Sequence, residues 1–225
     1  MGERCDNFSF AFNGISLDWG KVLGARFDDV PKSWVTVFRE TSLEELIYIA
    51  REGLSAYHQD VRHPELFQEM EMLDRHRPKK ILERGISRID AISALPASDS
   101  IFGTSSHRTV MLELKVDPKE CFVSDVDFLN YATPFATGKQ AGSDRYKNAF
   151  KKYWDSMTPL THFLKHYTNI ELPEGSHWLR REGAPGKLPD MFFMPEVLIM
   201  SPTVSAQHIR IAGELTTAAA TTDWE

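Results

Sequence analysis

Two short apolar runs near opposite ends of the chain each carry one charged side chain: Trp34-Val-Thr-Val-Phe-Arg39-Glu-Thr41 and Pro195-Glu196-Val-Leu-Ile-Met200. A run of four or five residues rich in Val, Ile and Phe reads as a strand buried in a sheet. A lone Arg or Glu beside such a run is costly unless its head reaches water or something requires it there. Arg39 and Glu196 are therefore the first candidates for a functional site.

The 225 residues are enough to bury a sizeable core, and one domain is expected rather than two. With 42% hydrophobic and 26% charged residues, the composition is that of an ordinary globular protein. A net charge of −6 argues against a surface that tracks a phosphate backbone throughout, though local basic strips exist. One is Arg75-His-Arg77-Pro-Lys79-Lys80. The other runs from Lys139 through Arg145, Lys147, Lys151 and Lys152, with Tyr146, Phe150, Tyr153 and Trp154 interleaved. The second has the basic and aromatic mix of a nucleic-acid contact, yet its spacing also suits a helix with one aromatic core face and one solvated basic face.

Cys5 and Cys121 are the only cysteines, which excludes a disulfide framework and a Cys-based zinc motif. A reducing, cytoplasmic setting is expected, and delivery into another cell without a cleavable signal is compatible with it. No signal peptide or membrane span is legible, since the longest apolar runs are short and Met191–Met200 contains Pro195 and Glu196. His162 and His166 have an i, i+4 spacing able to hold a metal, but no third ligand completes the set, so no metal site is expected. Cys121, beside Phe122 and Val123, reads as a buried and inert thiol.

Along the chain, residues 1–33 read as an irregular lead-in with one strand, residues 34–212 as the main domain and residues 213–225 as a flexible tail. Val35–Phe38 is a strand, Thr41 or Ser42 caps a helix with Glu44 and Glu45 in its first turn, and Gly53 ends it. The charged segment His58–Lys80 is a surface excursion, helical around Pro64–Asp74 and stopped by Pro78. Gly85–Leu95 is ambiguous between strand and helix. Thr109–Val116 alternates Val110, Leu112, Leu114 and Val116 with polar or flexible residues, the clearest strand in the chain. Cys121–Val123 adds a short strand, Val126–Tyr131 begins a helical stretch, and Lys147–His166 is helix broken at Thr158-Pro159. A Pro-, Gly- and charge-rich loop, Leu172–Asp190, leads to Glu196; Val197–Met200 and Ile209–Ile211 are the last strands.

At these residues the chain resembles the ADP-ribosyltransferase superfamily, in its cholera-toxin-like Arg…Glu class or the DarT-like class. Val37-Phe38-Arg39-Glu40-Thr41 to Glu52-Gly53-Leu54 is similar to the family's first strand, with its ligand Arg, the helix after it and a Gly-Leu pair. Glu196-Val197 opening a strand, followed by Ser201-Pro202-Thr-Val204 to His208-Ile209, is similar to the surroundings of its catalytic glutamate. The loop Leu172–Asp190 falls where the family has its target-recognising loop.

The resemblance covers roughly residues 34–212 and implies an α+β fold: a single domain with a split, mainly antiparallel β-sheet flanked by helices, NAD lying between the half-sheets. It implies NAD as substrate and an enzyme that transfers ADP-ribose to a protein or nucleic acid, with no membrane partner; a bacterial toxin or effector is one such role. Glu196 would be the catalytic carboxylate and Arg39 the pyrophosphate ligand, with Thr41 and Ser87 as supporting hydroxyls and Arg88 as the alternative phosphate ligand. The family's second-strand Ser-Thr-Ser element matches either Gly85-Ile-Ser87-Arg88 or Gly103-Thr104-Ser105-Ser106, and the first is preferred because a strand over Ile89–Leu95 would follow it. Met194 stands where arginine-modifying members carry Glu or Gln, so arginine is not the implied acceptor. The alternatives are a binding module that kept the fold without the activity, and an RNA 2′-phosphotransferase-like enzyme, which would use arginines on a phosphate with less need of Glu196.

Overall fold

The computed structural model describes residues 9–12, 15–18, 23, 27, 29–56, 64–96, 109–129, 144–167, 179–180 and 192–212. In chain order the strands are β1 (Ser9–Phe12), β2 (Ile15–Asp18), β3 (Val35–Ser42), β4 (Leu54–Ser55), β5 (Ile92–Ala94), β6 (Thr109–Val116), β7 (Cys121–Asp125), β8 (Thr158–Pro159), β9 (Leu179–Arg180), β10 (Phe192–Phe193), β11 (Pro195–Ile199), β12 (Thr203–Val204) and β13 (Ile209–Ile211). The α-helices with both ends among the described residues are α1 (Leu43–Glu52), α2 (Pro64–Arg75), α3 (Lys79–Leu82), α4 (Asp144–Ser156) and α5 (Leu160–Tyr167), and residues 127–129 are also helical. Strand pairings among the described residues are antiparallel, so the architecture is α+β.

Two sheets carry the fold. In the first, β6 lies between β13 and β3; in the second the order is β5-β11-β7-β8. They meet where β3 passes the end of β5: the Phe38 N–H donates to the Leu95 carbonyl at 2.8 Å, and the Leu95 N–H returns to Phe38 at 2.6 Å. Arg39 follows Phe38 directly, and Ser93 lies two residues before Leu95. Both are thus brought to the seam.

The alternation of β6 sorts its side chains as its sequence predicts, with Val110, Leu112, Leu114 and Val116 buried and Met111, Glu113 and Lys115 half-exposed. β11 is different, because β5 and β7 flank it and both its faces are covered. Val197 and Ile199 join one core with Leu46, Ile49, Leu160 and Phe163, while Leu198 joins a second with Leu73, Ile86, Phe150, Tyr153 and Trp154. Strand alternation puts Glu196 on the same side as Leu198, facing the second core.

β3 runs further than its apolar run, through Ser42, because Arg39–Ser42 still pair with Leu112–Thr109. Of the two candidate caps, Ser42 takes the role: its hydroxyl accepts from the Glu45 N–H at 3.3 Å and the Glu45 carboxylate accepts from the Ser42 N–H at 3.3 Å. Gly53 ends α1 at φ 80°, where a Cβ would stand 2.5 Å from the Val204 carbonyl. Only glycine lets β4 and β12 approach so closely.

Several expectations need correction. The lead-in supplies a pair of strands, β1 with β2, instead of one. Its Leu23 is buried, with a carbonyl that accepts from the Ile211 N–H at 3.3 Å, so this residue belongs to the first core. The segment predicted to be a surface excursion ends in the second core: Leu73 is fully buried and Asp74 is 7% exposed. The strand expected over Ile89–Leu95 is confined to Ile92–Ala94, because Ser87–Asp90 turns against α2. Leu179–Arg180, inside the predicted loop, pairs with Phe192–Phe193. The rest of that loop, Gly103–Ser106 and the tail lie outside the described residues. Among the described residues no helix is long and apolar enough to cross a membrane.

Candidate active site

Glu196 is 4% exposed, and its carboxylate gathers donors from three parts of the fold. Oε1 accepts from Arg88 Nη2 at 2.5 Å and from the Ser93 hydroxyl at 2.5 Å; Oε2 accepts from Arg88 Nε at 3.3 Å and from the Tyr153 hydroxyl at 2.9 Å. A carboxylate offers about four acceptor positions, and all are taken. Across the seam, Arg39 Nη1 donates to the Ser93 carbonyl at 2.6 Å. Ser93 therefore touches Glu196 through its hydroxyl and Arg39 through its backbone.

Each contributor has a local reason for its place. Register sets Ser93 opposite Leu198, so the neighbouring strand brings its hydroxyl alongside Glu196. Tyr153 lies on the buried face of α4 with Phe150 and Trp154, and its buried hydroxyl requires a polar partner. Glu196 supplies it. At the entry to β11, Asp125 Oδ1 accepts from the Met194 N–H at 3.1 Å, and the Met194 carbonyl accepts from the Val126 N–H at 2.9 Å. Met194 is buried, so no polar group stands two residues before Glu196.

Burying charge here has visible consequences. Burial pulls the Arg39 guanidinium down to about 10; Glu45 and Glu196 oppose that pull and Arg88 adds to it, leaving a cation at neutral pH. Burial also works against the charge of Arg88, but Glu196 and Tyr153 outweigh it and hold that guanidinium above its ordinary value. The Tyr153 phenol is pushed well up, first by burial and then by the adjacent Glu196. It stays a hydrogen-bond donor.

Of the residues read from the sequence, Arg39, Arg88 and Glu196 come together. Thr41 and Ser87 make other bonds: the Thr41 hydroxyl donates to the Glu45 carboxylate, and the Ser87 hydroxyl donates to Asp74 at 2.6 Å. Ser93 and Tyr153 were not singled out. The one signal for Ser93 was a hydroxyl interrupting Ile92-Ser-Ala-Leu; Tyr153 was concealed among aromatic neighbours of a helix face.

The other sequence features resolve structurally. Phe150, Tyr153 and Trp154 are core while Lys147, Lys151 and Lys152 are exposed, so the aromatics do not alternate with cations on one surface. In the first basic strip, Arg75 pairs with Glu71 at 2.7 Å, Lys79 with Glu83 at 3.6 Å and Lys80 with Asp155 at 3.4 Å. Among the described residues no cluster of three His, Cys, Asp or Glu side chains can hold a metal.

Cys121 is fully buried, and burial, with Glu120 and Asp117 adding to it, pushes its thiol up to about 12. At pH 8 roughly one part in 10⁴ is thiolate. In a Cys5→Ser variant, Ellman's reagent is expected to leave Cys121 unmodified until denaturant is added. Prompt labelling of the folded protein would show the thiol to be accessible.

Comparison with family models, with curated proteins and with solved structures gives no match for this chain.

Proposed function

We propose that this chain is a mono-ADP-ribosyltransferase that cleaves NAD and passes ADP-ribose to a macromolecular acceptor, its half-sheets arranged as in that superfamily. The observation that carries the reading is a buried carboxylate on a central strand, Glu196, held by Arg88, Ser93 and Tyr153, with a second arginine reaching Ser93 from the facing half-sheet.

In the reaction the bond between ribose C1′ and the nicotinamide nitrogen breaks, and its electron pair leaves with nicotinamide. The acceptor's nucleophile bonds C1′ and gives up its proton. Between these events the ribose carries oxocarbenium-like charge, and a fixed anion in a dry site stabilises such a charge far better than water does. Glu196 is that anion. The pyrophosphate needs paired N–H donors, which guanidinium groups supply and ammonium does not.

With the acceptor positions of Glu196 filled, a ribose hydroxyl must replace one donor. Arg88 has both the longest contact, 3.3 Å from Nε, and an alternative anionic partner in the pyrophosphate. Arg39 and Arg88 thus divide the phosphate-binding work. Met194 leaves no acidic or amide side chain to orient an arginine acceptor, so another protein side chain or a nucleic-acid group is the acceptor class. A toxin or effector role rests on the resemblance alone.

Arg39→Ala is expected to weaken NAD binding by about 10- to 100-fold, the range for one charged hydrogen-bonding group. Calorimetry checks it, and an unchanged dissociation constant would remove Arg39 from the site. The filled carboxylate also favours a second reading, a binding module in which the Arg88–Glu196 pair is structural only. Release of nicotinamide by the wild-type protein separates the two.

A further inference from the structure

The proposed reading assigns work to Glu196 and to both arginines but none to Asp74, a carboxylate that is 7% exposed at the end of α2. Arg77 Nε lies 3.9 Å from its Oδ1, and the hydrogen-bond partners of the carboxylate lie thirteen to fifteen residues further on. Oδ1 accepts from the Arg88 N–H at 2.9 Å. Oδ2 accepts from the Ser87 hydroxyl at 2.6 Å and from the Ile89 N–H at 3.4 Å. The Ser87 oxygen in turn accepts from the Asp90 N–H at 3.2 Å, so one carboxylate organises the whole turn Ser87–Asp90.

That turn is not part of a strand ladder, and it carries Arg88. Arg77 fastens it from the same helix end, its Nε donating to the Asp74 carbonyl at 2.9 Å and its Nη1 to the Ile86 carbonyl at 2.8 Å. The helix end is itself tied to α4, because Trp154 Nε1 donates to the Leu73 carbonyl at 3.0 Å. Trp154 adjoins Tyr153. The groups that aim Arg88 and Tyr153 at Glu196 thus share one frame, with Asp74 as its link to Arg88.

We infer that Asp74 is a positioning residue: by fixing the backbone of the Ser87–Asp90 turn it directs the Arg88 guanidinium onto Glu196 and, on the proposed reading, onto the pyrophosphate of NAD. Asp74 touches the backbone of Arg88 and not its guanidinium. This makes the inference separable from a role in holding the turn. A structural carboxylate would contribute equally whatever side chain residue 88 bears, whereas a positioning one loses part of its effect once the guanidinium fork is gone.

The test is a double-mutant cycle of Asp74→Asn and Arg88→Lys. The asparagine keeps the volume but places an NH₂ where a backbone N–H needs an acceptor, and the lysine keeps the charge but loses the fork. With NAD as the probe, Asp74→Asn is expected to lower nicotinamide release about 10-fold in the wild-type background and by less than about 2-fold beside Arg88→Lys. In urea unfolding, which needs no activity, the midpoint shift from Asp74→Asn is expected to be clearly smaller in the Arg88→Lys background. If the wild-type protein releases no nicotinamide, the enzymatic reading fails while the unfolding cycle still decides the role of Asp74. Equal shifts in both backgrounds would overturn it.

Discussion

Glu196→Gln is expected to lower nicotinamide release on the order of 10³-fold while NAD remains bound. The amide has nearly the shape of the carboxylate but lacks its charge, so stabilisation of the oxocarbenium-like ribose is lost and the pyrophosphate contacts of the arginines survive. Without the carboxylate, Arg88 faces Glu196→Gln as a buried cation short of an anion, and the phosphates of NAD supply one. NAD should therefore raise the melting temperature of this variant by at least as much as it raises that of the wild type. Near-normal turnover in Glu196→Gln would show that this carboxylate is not the catalytic one.

The second large effect is on stability. Arg88 and Glu196 form an ion pair at 2.5 Å with both side chains almost out of water, and removing one partner leaves the other buried without compensation. Arg88→Ala should cost about 3–5 kcal/mol in urea unfolding, a large part of the stability of an ordinary domain. Arg39 remains nearby and donates to the Ser93 carbonyl at 2.6 Å. The double variant Arg88→Met with Glu196→Leu removes both charges at similar volume and should recover only part of that loss, because the Ser93 and Tyr153 hydroxyls lose their acceptor. A loss below about 1 kcal/mol for Arg88→Ala would mean that the pair is as weak as one in water.

The parts of this fold that were legible in the sequence are those whose partners are local or periodic. The alternation of Thr109–Val116 required only that one face be buried, and Ser42, Glu45 and Gly53 mark the ends of a helix within a dozen residues. Arg39 and Glu196 were legible for a related reason, since a charge beside an apolar run is conspicuous wherever it occurs. Their meeting in space was not. Each bonds Ser93, and the strand carrying it is too short for its period to show.

Asp74 was hidden by the opposite circumstance. It lies in a helix crowded with Glu69, Glu71 and Arg75 and followed by Arg77, where one more carboxylate reads as solvated surface, and its hydrogen-bond partners are mainly backbone N–H groups that leave no mark in a sequence. Ser87, read from the sequence as a supporting hydroxyl of the site, donates to that carboxylate. Tyr153 was hidden by its neighbours. On an aromatic helix face a hydroxyl group changes nothing in the pattern, yet here it completes the shell of Glu196.

The most direct measurement of the central claim is transfer of label from NAD carrying ³²P in its adenylate phosphate, with wild-type protein and Glu196→Gln each incubated with cell lysates that contain both protein and nucleic acid. Label is expected in the macromolecular fraction with wild-type protein and none above background with Glu196→Gln. Failure of the wild-type protein to transfer label, together with no heat of NAD binding, would contradict it.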